Sequence, residues 1–437
     1  MNGRSLRNWL FVGCLLALFF CLLGFSLFPR YTSDAEWYIA IAQGHFDVPK
    51  PWGSRILHAL LAGSIARLTG ISLDLAFYIL AVVSTFIIGL GLACLSHRVH
   101  GNAWHSLWAF NPFLLQAVGS IYLNDLFLLS LCIVFFAVLE IPWLAFPLVI
   151  LMSLTREVSL IAALVSGSVL VYKGKRLYGA SIVLLAALAY LFIIPAIAKG
   201  QNLHGSSDFI YLVGRSFAAF FKNFFGFQIW TDTLASLWEK WDMSGCETPL
   251  VAFTLPPKLR IGNIHAIGLC PWNPWHIIYF LATYLCGWGL LLGMLWTLRG
   301  NFANLVAIAS PNIVAACLFG LASLLLAPFV TYDFALGRLS IYAIIPLVVI
   351  APSFMQGCHR VRGVLIPLIH VALLMAFLLA LKGLMNPYGL AVLTVFGILG
   401  QFFAVYSCFS KKGQATLEVL EGVKDDRQAK PPDGEKK

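Results

Sequence analysis

Long apolar runs recur from one end of the chain almost to the other, and polar residues are confined to the gaps between them. No run shows the alternating pattern of a lipid-facing barrel strand. A helix bundle is the other architecture that satisfies every backbone group in lipid. At about 20 residues per crossing, the pattern predicts helices near 9–28, 75–96, 104–120, 126–140, 141–155, 158–172, 177–198, 275–297, 303–330, 339–357, 363–381 and 388–409. The expectation is an all-α polytopic membrane domain of about twelve helices over residues 1–412, followed by a polar, disordered cytoplasmic tail at 413–437.

Two gaps are longer than simple turns. Residues 29–74 form a first outer loop, in which RILHALLAGSIARLTG is helical in pattern, short for a span and marked by Arg55 and Arg67. It suits a helix lying at the membrane interface. Residues 199–274 form a large outer loop with the aromatic stretch FAAFFKNFFGFQIW, suited to the headgroup layer.

Composition sharpens this picture. Of 437 residues, 60% are hydrophobic and 11% charged, where a soluble domain averages about a quarter charged. A soluble protein is excluded. The first run follows Arg4 and Arg7, is longer than a signal-peptide core and precedes no small-residue cleavage site, so it reads as a retained helix with a cytoplasmic N-terminus.

The net charge of +10 resolves by side. On this threading the cytoplasmic tips carry eleven bases against one acid, Glu140, and the short outer loops carry seven of each. That is the positive-inside asymmetry. It orients the chain with both termini inside and removes any need for a nucleic-acid partner. Eight of the ten cysteines sit in or beside apolar runs, where cysteine acts as a small hydrophobe. Cys246 and Cys270 share the large outer loop, and a disulfide there is compatible with an oxidising exterior. Spacing does not establish the connectivity. No zinc, iron–sulfur or haem spacing occurs.

The chemistry collects at one face. His370 is the lone ionisable candidate at mid-depth, while Asp34 and Glu36, Arg55, Asn124 with Asp125, Arg156 with Glu157, and Asp333 with Arg338 all fall at outer ends. A transporter more often places its charges at the midplane. Charge gathered at one interface suits a reaction between a lipid headgroup and an external acceptor. Snorkelling and loop-tying salt bridges are the plain alternative.

The opening YTSDAEWYIAIAQG and WGSRILHALLAG, the later NDLFLL and LTREVSLI, and the late YDFALGRL resemble the GT-C superfamily of integral-membrane glycosyltransferases. The resemblance covers most of residues 1–175 and a patch at 331–340, and leaves the large outer loop unmatched. It implies a polyprenyl-phosphate-linked sugar donor and an active site on the outer face of a bacterial inner membrane. Its acceptor would be an envelope glycan, a lipid or an exported protein such as a pilin. It implies a first-loop acid as general base, here Asp34 with Glu36 as the second choice, and inversion at the sugar carbon. Before AEWYIAIA, Ser33 and Asp34 would also serve as a helix cap.

Guanidinium suits phosphate oxygens, which points to Arg156 and Arg338, with Arg55 behind them, for the donor phosphate. Asp125, Asn124, Glu157, Asp333, Trp37 and Tyr38 are the candidates for the sugar or acceptor. The resemblance leaves room for a divalent cation, magnesium or calcium, near Asp34 and Asp125, and none is assigned. A glycan polymerase or ligase, an oligosaccharide transferase, or a non-enzymatic flippase for a lipid-linked sugar are the alternatives.

Overall fold

A computed structural model describes residues 3–28, 32, 34–49, 52–198, 208–231, 248–257, 265–298, 309–330, 335–356 and 372. The first long apolar run is helix α1 (Gly3–Leu27). Two short helices follow in the segment expected as the first outer loop, α2 (Ala35–Gln43) and α3 (Leu57–Thr69), the latter over the expected interfacial stretch. Helix α4 (Leu73–His100) has matched ends. Ser72 accepts a hydrogen bond from the Leu75 amide, Asp74 lies in the first turn, and His97, Arg98 and His100 lie in the last. Asp74 and Arg98 each sit where the helix dipole favours their charge.

The expected crossing at 104–120 is corrected. A 3-10 stretch (Ala103–Ala109) is followed by a separate eight-residue helix, α5 (Pro112–Gly119). The break falls at Asn111, where a following proline disfavours helix and the side chain accepts from the Phe113 amide to cap the new helix. Asn111 also donates to the Gly287 carbonyl, tying α5 to a distant helix.

Helices α6 (Asp125–Val138), α7 (Pro142–Ser153) and α8 (Ser159–Tyr172) replace the crossings expected at 126–140, 141–155 and 158–172. At 12 to 14 residues they are about 18–21 Å long, less than a hydrocarbon core of about 30 Å. Helix α9 (Arg176–Leu188) continues through a π turn (Ala189–Ile193) into α10 (Ile194–Ile197).

The segment expected as a large outer loop, 199–274, is more structured than the sequence predicts. It contains an amphipathic helix, α11 (Asp208–Phe225), and a three-stranded antiparallel sheet in the order β1 (Ile229–Thr231), β3 (Ala266–Leu269), β2 (Val251–Thr254). The all-α expectation is corrected by this sheet. Gly226 ends α11 at φ +70°, and a Cβ there would lie 2.8 Å from the Asn273 carbonyl. Only glycine allows both the left-handed turn and that approach.

The chain continues with α12 (Pro274–Leu298), α13 (Pro311–Val330), α14 (Ala335–Ser340), a 3-10 turn (Ile341–Ala343) and α15 (Ile344–Gln356). Among the described residues four helical stretches are long and apolar enough to cross a membrane: Leu6–Leu27, Leu73–His100, Arg176–Ile197 and Pro311–Val330. His370, the expected crossing at 363–381 apart from residue 372, the one at 388–409 and the tail at 413–437 lie outside the described residues.

One core runs through the bundle, with Phe20, Tyr38, Phe77, Phe135, Trp288, Phe319 and Tyr342 all fully buried. Helix α1 packs on α4 and α5, α4 on α6, and α8 on α9 and α13. The two ends differ in chemistry. Asp74 accepts from Tyr122 at one end, near the start of α6, while Lys175 pairs with Glu140 across the turns at the other.

Helices α2 and α3 meet so closely that a Cβ on Gly63 would lie 2.1 Å from the Ala42 carbonyl. Overpacking of this kind costs about 1–3 kcal/mol. Gly63→Val is therefore expected to lower thermal stability and to displace α2, and unfolding in detergent measures the loss. A variant as stable as wild type would contradict the close crossing.

Candidate active site

Five separate chain segments deliver three carboxylates and three guanidiniums to one place. Asp34 immediately precedes α2, yet its side chain makes no capping hydrogen bond. It accepts instead from Arg338 Nη1 at 2.8 Å. Arg338 lies on α14 and its Nε donates to Asp125 Oδ2, also at 2.8 Å. The other oxygen of Asp125 pairs with Arg156. Asp125 opens α6 and is wholly buried, and Arg156 follows α7 and is 7% exposed. The guanidinium of Arg55 grips Glu157, its Nε 3.0 Å from both carboxylate oxygens, and Ser54 donates to the same carboxylate at 3.2 Å.

The backbone holds these groups in register. Asn124 donates to the Thr155 carbonyl at 2.6 Å, locking the start of α6 to the turn that carries Arg156 and Glu157. The Leu57 amide donates to the Leu154 carbonyl, which joins the Arg55 segment to the same turn. Because α6 leaves this end, α7 returns to it and α8 leaves again, short helices bring all three turn residues together.

Charge is balanced but not fully hydrogen-bonded. Arg156 Nε, Arg338 Nη2 and Asn124 Oδ1 are buried without a hydrogen-bond partner. A buried N–H left unpaired is costly, so the Arg156 and Arg338 donors mark a place where an anion would be bound, whereas Asn124 Oδ1 is an acceptor. Burial alone would raise the Asp34 carboxyl, but Arg338 and, more weakly, Arg55 and Trp52 hold it below its ordinary value. Glu157 behaves likewise, burial opposed by Arg55. For Arg55, burial is outweighed by Glu157 and the guanidinium is held well above its usual range. Burial and the flanking Arg55 and Arg338 pull Arg156 down to about 10, with Tyr342 and Glu157 working the other way.

Glu157 supplies a pH test. Its folded-state carboxyl ionises below the ordinary 4.5, so the Arg55 pair contributes stability that is complete above that pH and lost as pH falls through the lower folded value. The melting-temperature gap between wild type and Glu157→Gln is expected to be constant near neutrality and to close in acid. A gap that widens in acid would contradict this.

The remaining predicted residues divide. Glu36 is exposed on α2 and makes no ion pair with a described residue. Tyr38 is fully buried beside Arg55, so its ring has no face open to a sugar. Trp37 is partly exposed and stacks on Trp52, with ring centroids 5.7 Å apart. Asp333 and Cys246 lie outside the described residues, and Cys270 is disulfide-bonded. Trp52, which carried no functional assignment from the sequence, lies beside Asp34. Tyr342 lies beside Arg156 and was not anticipated, although its position four residues after Arg338 was a visible helical spacing.

The donor set does not fit a divalent cation at Asp34 and Asp125. Both carboxylates turn an oxygen to Arg338, whose guanidinium occupies the space between them. Among the described residues no group of three or more metal-ligating side chains occurs.

No protein-family model matches the chain. No curated protein matches it at a significant level. Among solved structures, the chain is similar to ArnT from Cupriavidus metallidurans in the apo state, at 13% identity and a TM-score of 0.42, over 92% of this chain and 77% of that one. A likeness this weak assigns no activity, and the functional reading rests on the chain's own residues.

Proposed function

We propose that this protein is an integral-membrane glycosyltransferase of the GT-C type. In this reading it moves one sugar, with inversion, from a polyprenyl-phosphate-linked donor to a glycan, lipid or exported-protein acceptor at the outer face of a bacterial inner membrane. The observation that carries the proposal is the placement of Asp34, an ionised carboxylate not used as a helix cap, one guanidinium away from the buried Arg156–Asp125 pair.

The reaction assigns each group a task. The acceptor hydroxyl attacks the anomeric carbon and its proton passes to an Asp34 oxygen. The bond from that carbon to the phosphate oxygen breaks, and the electron pair leaves on the phosphate. Arg156 and Arg338, each with an unpaired buried N–H, stabilise the developing charge. Asp125 positions both arginines, and Glu157 does the same for Arg55. Low Asp34 basicity is compatible with this role, because the leaving phosphate carries much of the driving force and the carboxylate stays ionised at neutral pH. Trp37, on the helix that Asp34 immediately precedes, is the candidate platform for a sugar ring.

Comparing envelope glycans and exported proteins from cells lacking the protein with those from cells complemented by wild type or by Arg156→Ala tests the proposal. We expect one sugar modification to disappear, to return with wild type and not to return with the variant. Unchanged glycans and exported proteins in the deleted cells would overturn it.

A further inference from the structure

The sheet in the large outer segment presents a surface that the candidate site does not use. Ile229 pairs with Leu269, Val251 with Leu269 and Phe253 with Ile267. Directly paired residues, and alternate residues along a strand, share a face of a sheet. Ile229, Val251, Phe253, Ile267 and Leu269 therefore lie on one side. On the edge strand β2, Val251 is 49% and Phe253 69% exposed, and Leu250 just before them is 65% exposed. In water, an open apolar edge strand is a site of aggregation.

The surroundings identify what covers it. Residues 248–257 and 265–275 contain no Asp, Glu, Lys or Arg. Immediately after β3, Trp272 is 57% and Trp275 38% exposed, and indoles of this kind favour the headgroup layer. The sheet is also joined to membrane-facing surface. Helix α11 contacts β1, and the Trp272 indole donates to the Phe225 carbonyl at 3.0 Å. Phe220 and Phe224 of α11 pack on Phe329 of α13, and Phe224 also packs on Phe280 of α12. Leu325, Leu326 and Phe329 of α13, a helix long enough to cross a membrane, are themselves exposed, as are Phe217 and Phe225 of α11.

We propose that the β1–β3–β2 sheet docks its apolar face onto the outer surface of the same bilayer that holds the helices, with Val251 and Phe253 reaching the acyl-chain boundary and Trp272 and Trp275 at headgroup level. The occupant of this face is lipid. The large outer segment is thereby held against the membrane surface instead of projecting from it. This inference is independent of the reaction proposed above.

The test places p-benzoylphenylalanine, a photo-crosslinking residue, at position 253 of the full chain in vesicles of phosphatidylethanolamine and phosphatidylglycerol. A control places it at position 254, on the opposite face. Both positions are exposed, so neither replacement removes packing. After illumination, mass spectrometry is expected to find phospholipid adducts at position 253 in several-fold excess over position 254. A crosslink from position 253 to a second copy or to another protein, equal lipid yields at the two positions, or no lipid adduct would each overturn the proposal.

Discussion

Asp34→Asn is expected to reduce sugar transfer by about 10²- to 10⁴-fold, the usual contribution of a positioned general base, while the protein still accumulates and folds. The substitution keeps shape and polarity but removes the charge that accepts the proton. Arg338 loses one of its two carboxylate partners and retains Asp125, so the structural penalty is modest. The loss should appear in kcat, with little change in KM for the donor, since the phosphate contacts lie on the arginines. Glu36→Gln is the matched control, expected to stay near wild type because Glu36 is exposed and forms no ion pair with a described residue. Full activity in Asp34→Asn would remove Asp34 as the base, and loss in Glu36→Gln instead would transfer the role.

Asp125→Ala has the largest expected effect on stability. It leaves Arg156 and Arg338 without the carboxylate that joins them, in a place where Asp125 is wholly buried and Arg156 nearly so. Removing one partner of a buried pair costs about 3–5 kcal/mol, because an uncompensated charge remains. Against a total stability of about 5–15 kcal/mol, that is a large share, visible as a lowered melting temperature in detergent. The mechanism separates from a simple loss of contacts through a double variant. Asp125→Leu with Arg156→Met removes acid and base together and should recover much of the stability, since Arg338 keeps Asp34. A single Asp125→Ala variant within about 1 kcal/mol of wild type would contradict the buried-charge account.

The two variants also separate structural from chemical roles. If the cluster served only to tie loops, Asp34→Asn and Asp125→Ala would lower activity in proportion to stability. The proposed reaction predicts otherwise. Asp34→Asn would be stable and inactive, while the double variant would be stable yet poor at holding the donor phosphate.

The amino-acid pattern alone determined the membrane setting, the first helix and the long α4, because runs of about 20 apolar residues have few other ways to bury their side chains and backbone. It also set Asp34, Arg55, Asp125, Arg156, Glu157 and Arg338 apart from the apolar runs, because charges are excluded from the hydrocarbon, and the ion pairs of the fold then bring them together. Apolarity alone missed the break at Asn111, although Asn111-Pro112 was a local signal for it, and the length of α6 to α8, since apolarity does not say where a helix stops when the turn is itself buried.

The tertiary structure decided the rest. Arg338 meets an acid 304 residues earlier in the chain, and no local pattern encodes such a pairing. The cap role of Asp34 was open in the sequence, and Arg338 closed it by offering a charged partner stronger than a backbone amide. The small sheet was invisible for a related reason. Its strands are three or four residues long, below the length at which period-two alternation is distinguishable, and they exist only because β3 lies between two partners drawn from distant parts of the loop.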